Sequence, residues 1–130
     1  MLATGRFDTK STPHAPHSDA DGVVLARISI AKTFEGDLVG TGAVEMIAAR
    51  PSTPGSAGYV AIERVDAVLH GRAGTFVLQH SGTMDRGTPS LSVTVVPDTG
   101  TGELAGIRGS MQIDVSTGDH RYTFEYALPA

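Results

Sequence analysis

From Tyr59 to Ser81 the chain reads YVAIERVDAVLHGRAGTFVLQHS, two β-rich runs around a glycine-bearing turn at residues 70–74. Such a turn between two alternating runs is a strong local hairpin signal. With Gly71 and Arg72 as the loop pair, Ala67 faces Phe76, Val65 faces Leu78, and Glu63 faces His80. A slip of one residue would set Asp66 against Leu78 and split the apolar set between faces, so the pattern selects this parity. It also puts a carboxylate beside an imidazole on an otherwise apolar face.

The same alternation marks six further runs. Ala3–Thr9 is a short first strand carrying Phe7, and the Pro/Ser/Asp-rich stretch Ser11–Gly22 reads as a loop. Val23–Thr33 and Val39–Ala49 flank a turn at Glu35-Gly36-Asp37, and a Pro/Gly loop over 51–58 leads into the hairpin. Leu91–Val96, Leu104–Val115 and His120–Leu128 alternate cleanly, the last with Tyr122, Phe124, Tyr126 and Leu128 opposite Arg121, Thr123 and Glu125. That makes eight strands, with no stretch of helical period. Meandering antiparallel strands hide their edges most completely by closing. The expected fold is an all-β, eight-stranded antiparallel closed barrel forming one domain over 1–130, with a β-sandwich as the alternative.

The second to fourth strands are apolar on both faces: Val24, Ile28 and Ile30 against Leu25, and Val60 and Ile62 against Tyr59 and Val65. Strands of that kind are usually covered on both sides, so the outer face of these three is expected to join copies into a dimer or trimer.

Composition narrows the classes. Only 18% of residues are charged, and the net charge is -4 with basic residues scattered singly, which gives nothing to track nucleic acid or an anionic membrane. There are no cysteines, no apolar leader and no run approaching a membrane span, which fits a cytoplasmic protein. His14 and His17 lack further ligands for a metal, and glycines 100, 102, 106 and 109 lack the Lys and following helix of a phosphate loop. No cofactor is expected. Ser81 and His80 are adjacent on a strand and point to opposite faces, which excludes a nucleophile–base pair.

What remains is Glu63 and His80, with Tyr59, Glu45 and Gln79 as neighbours. A carboxyl in an apolar barrel has a raised proton affinity, and a paired imidazole can relay the proton, hardware for acid–base work on an apolar substrate. Phe76, Leu78, Tyr122, Phe124 and Tyr126 would line the substrate space. The competing expectation is a polar pair that braces a barrel filled by its own side chains, and the room left by Phe76, Leu78, Phe124 and Tyr126 decides between them.

The segments GYVAIERVDAVLHGRAGTFVLQHSGTM (58–84), VVPDTGTGELAGIRGSM (95–111) and HRYTFEYAL (120–128), with ATGRFDTK and FEGDLVGTG, resemble the bacterial DUF3224 family, proteins of unknown function, over nearly the whole chain. The resemblance implies an eight-stranded barrel of the allene oxide cyclase, dirigent or calycin kind, and oligomers. It brings no assigned activity, and no cyclase catalytic residue maps by motif; a shared barrel is analogy for function. Two expectations stand: a lumen that binds an apolar, lipid- or polyketide-like molecule, with Glu63 and His80 as the acid–base pair of a cofactor-free isomerase or cyclase, or a non-catalytic structural or ligand-binding oligomer.

Overall fold

The structure, a computed structural model, describes all 130 residues. Nine strands follow in order: β1 (Leu2–Pro13), β2 (Ser18–Ala20), β3 (Val23–Gly36), β4 (Leu38–Pro51), β5 (Ala57–Leu69), β6 (Arg72–Asp85), β7 (Thr88–Val95), β8 (Arg108–Asp114) and β9 (His120–Ala127). Every pairing is antiparallel. The neighbour order β1-β9-β8-β7-β6-β5-β4-β3 closes because β1 also pairs with β3, and β2 lies outside, on the edge of β3. The barrel therefore has eight strands and one external ribbon. No helix is long and apolar enough to cross a membrane.

Side-chain alternation follows the barrel wall. Tyr122, Phe124 and Tyr126 of β9 point inward and are buried, while Arg121, Thr123 and Glu125 between them are exposed. The core joins them to Phe7, Phe34, Leu38, Val65, Leu69, Phe76, Leu78, Val93, Met111 and others in one continuous cluster. Leu104 and Ile107, on the loop between β7 and β8, cap one end of it and are fully buried. The β7–β8 seam is the thinnest in the barrel, with one paired position, Thr94 with Ser110.

The central hairpin has the expected parity but a register two residues away. Leu69 pairs with Arg72, Val65 with Phe76, Glu63 with Leu78, and Ala61 with His80. The loop pair is His70-Gly71, with φ of 46° and 80°. Positive φ at both central residues is the mark of a type I′ turn, whose twist matches the strands it joins. Gly71-Arg72 would have asked Arg72 to adopt the second left-handed conformation. A shift of two keeps every side chain on its face, so the inward set survives.

Two more X-Gly pairs of the same kind connect strands. Arg86-Gly87 joins β6 to β7, and Asp21-Gly22 joins β2 to β3. The second lies in a stretch read from sequence as loop: β1 runs on to Pro13, paired with Ile28, and Ser18–Ala20 forms β2. These positions hide no apolar side chain, so only their backbone hydrogen bonds mark them as strand. Conversely, the strand expected from Leu104 begins at Arg108, because Gly102–Leu104 coils into a single 3₁₀ turn.

Candidate functional site

Three polar side chains lie inside the barrel wall: Lys32 on β3, Glu63 on β5 and His80 on β6, at 7%, 0% and 4% exposure. His80 Nε2 is 2.7 Å from Glu63 Oε1, and Lys32 Nζ is 3.0 Å from the same oxygen. Glu63 and His80 are diagonal across the β5–β6 ladder, within reach of long side chains. Lys32 reaches Glu63 across β4, and the residue beside it there is Gly42. A Cβ on Gly42 would collide with Glu63 Oε2 and crowd the Phe34 ring, so the glycine opens the lane in which the ion pair forms. The Lys32 ammonium also sits 4.5 Å over the Phe7 ring and 5.9 Å from that of Phe34. Cation–π attraction of this kind offsets part of the cost of burying the charge.

The electrostatics reverse one expectation. Burial pushes the Glu63 carboxyl up, but the hydrogen bond from His80 and the charge of Lys32 outweigh it and hold the carboxyl below its ordinary value. Glu63 is therefore an anion locked between donors, not a carboxyl of raised proton affinity. As an ionised carboxylate only accepts, His80 carries a proton on Nε2. Glu63 Oε2 has no hydrogen-bond partner and lies against Gly42.

Of the five residues read as one constellation, Glu63 and His80 come together as expected, and Tyr59 points inward one pair further along. Its ring covers Gly82, and burial pushes its phenol up. Glu45 and Gln79 do not belong there. They alternate with Val44 and His80, so both point outward and are exposed. Glu45 accepts the Ser29 hydroxyl at 2.9 and 3.0 Å, and Ser29 in turn accepts from His14 Nε2 at 2.8 Å. Lys32 is the member that sequence reasoning missed. Its signal was parity: it shares a face with Ile28, Ile30 and Phe34.

The side chains expected to line a substrate space pack against one another. Phe76 stacks on Phe124 at 5.7 Å between centroids, Phe124 on Tyr126 at 5.4 Å, and Phe76, Leu78 and Phe124 have no exposed surface. The two tyrosines of β9 each hold a hairpin turn. The Tyr122 hydroxyl donates to Glu35 O and accepts from Leu38 N, both at 2.9 Å, while the Tyr126 hydroxyl bonds His70 Nδ1. On the outer wall, a shallow open depression of about 560 Å³ lies among Arg27, Glu45, Ile47, Val60, Ile62 and Gln79, over Ala61 and His80.

These features define a closed eight-stranded antiparallel barrel with an aromatic-rich core and a buried lysine–glutamate–histidine cluster. The family model for DUF3224, described as a protein of unknown function, matches residues 3–126, and the chain belongs to that family. A solved structure from Shewanella oneidensis MR-1, a protein of unknown function from the same family, is 45% identical. It covers 100% of this chain and 98% of its own length with a TM-score of 0.95. No curated protein matches the chain in sequence.

Proposed function

We propose that this protein is a non-catalytic binding barrel whose interior is structural and whose working surface is the outer wall of β3–β6. The observation that carries the reading is the Phe76–Phe124–Tyr126 stack, which with Leu78 occupies the space an apolar substrate would need. The Lys32–Glu63–His80 cluster supports it from the other side. An anion clamped by two donors is a poor general acid at neutral pH, and its own partners occupy the groups that would meet a substrate. In this reading the cluster braces the barrel, and apolar contacts outside do the binding. The absence of cysteine fits a reducing, cytoplasmic setting.

The lumen-binding reading, a cofactor-free isomerase or cyclase like those known on barrels of the allene oxide cyclase kind, keeps one observation in its favour. Glu63 Oε2 is a buried acceptor without a donor. Native mass spectrometry with a panel of fatty acids and aromatic polyketides separates the two. Bound ligand that disappears in Phe76→Trp, a change inside the lumen, would overturn the proposal. No lumen-dependent binding, with the fold intact by circular dichroism, is the expected result.

A further inference from the structure

The outward positions of β3, β4, β5 and β6 form a regular grid. Odd positions 25–33, odd positions 49–41, even positions 58–66 and odd positions 83–75 lie in register across the four strands. At its centre Ile47 pairs with Val60, with Ile62 next along β5, and these three are 51–56% exposed. In the same two rows stand Arg27, Ser81, Ser29, Glu45 and Gln79, with the small residues Ala49 and Gly58 in the row before and Ala31 and Ala43 in the row after. The neighbouring strand β7 offers Ser90, Ser92 and Thr94, a hydroxyl rim. An apolar patch with a polar border marks an interaction surface on an otherwise soluble domain.

Resting on the reading that the outer wall is the working surface, we propose that its partner is a second copy of this chain, packed sheet face to sheet face across β3–β6. Charge is the first argument. The chain carries a net charge of -4, yet the grid holds Arg27 and Arg64 against Glu45 and Asp66 and is neutral. Two like-charged copies meet with least repulsion here, and cations and anions on one wall can face their opposites on a copy of it. Area is the second. With strands about 4.8 Å apart and same-face residues about 6.8 Å apart, the grid spans roughly 650 Å². Two copies then bury about 1,300 Å², inside the range of about 1,200–2,000 Å² for specific complexes. Sheets packed this way interleave side chains at about 10 Å, and Ile47, Val60 and Ile62 supply the knobs.

The experiment is sedimentation velocity with native mass spectrometry on the wild type, Val60→Asp, Ile47→Asp, and a control, Thr123→Asp, at an exposed position of β9 away from β3–β6. Wild type and control should sediment as dimers. The two wall variants should be monomers with unchanged circular dichroism, their self-association weakened by about tenfold or more, since a buried unpaired carboxylate is poorly tolerated. Dimers that persist in both wall variants overturn this interface while leaving self-association standing. A monomeric wild type that retains an apolar small molecule, lost in Val60→Asp, overturns the second copy as occupant but keeps the wall as a binding surface. A monomeric wild type with nothing on the wall overturns both the interface and the reading beneath it.

Discussion

Lys32 and Glu63 are joined across a strand that lies between them, Nζ to Oε1 at 3.0 Å, through the gap left by Gly42. Neither partner is on a strand adjacent to the other, so one hydrogen atom in place of a side chain decides whether the pair exists. Gly42→Ala should therefore cost about 3 kcal/mol or more, the scale of breaking a buried ion pair. Urea denaturation of the variant measures it. A loss below about 0.5 kcal/mol would mean that Glu63 has somewhere else to go.

The cluster should behave as a unit. Lys32→Met leaves an anion facing only His80 and is expected to cost about 3–5 kcal/mol, whereas replacing all three members with apolar residues of matched volume should cost far less than the single change. Additive losses across single, double and triple variants would show that the three side chains act independently.

Acid stability should report on Glu63. Its carboxyl is held below the value it takes in an unfolded chain, near 4.5. The stabilisation is complete above that value and drains away as pH falls through the lower, folded one. Unfolding free energies measured from pH 7 down to pH 3 should therefore fall more steeply for the wild type than for Glu63→Gln. Parallel curves would indicate that the carboxyl titrates alike in both states.

Tyr122 gives a cleaner test because its ring can stay in place. Tyr122→Phe removes the hydroxyl that satisfies the buried Leu38 amide and the Glu35 carbonyl, at an expected cost of about 1–3 kcal/mol. Hydrogen exchange should quicken at Leu38 more than at distant amides. Unchanged protection there would assign the hydroxyl no part in holding the turn.

Hydrogen exchange in the wild type should also find the β7–β8 seam first. With a single paired position between these strands, amides flanking Thr94 and Ser110 should exchange faster than those of β4 and β5, which are paired along most of their length.

Much of this barrel was legible in the order of residues. Alternation is a local property, so the inward faces of β5, β6 and β9 could be read directly, and with them the meeting of Glu63 and His80. Register was harder. It hangs on which two residues of 70–74 turn, and both placements of the loop leave the apolar set on one face, so hydrophobicity does not choose between them. Glu45 and Gln79 point away from the cluster, because each sits beside a residue of the opposite face, Glu45 next to Val44 and Gln79 next to His80. Lys32 escaped notice because a lone lysine in a strand is normally solvated. Here Phe7 and Phe34 cradle it, and nothing local announces that. β2 could not be read at all from apolar spacing, since it buries almost nothing and is strand only through its backbone.

The closure of β1 on both β3 and β9 sets an order of events for the growing chain. Ala3 pairs with Phe124, so one edge of the first strand waits, unpaired, until β9 has been made. The hairpins of β3–β6 can zip up behind the ribosome, but the circle is completed only when β9 arrives. A truncation within β9 would therefore leave two raw sheet edges and an uncovered aromatic interior, so its penalty should appear as insolubility and degradation in the cell more than as a lower melting temperature.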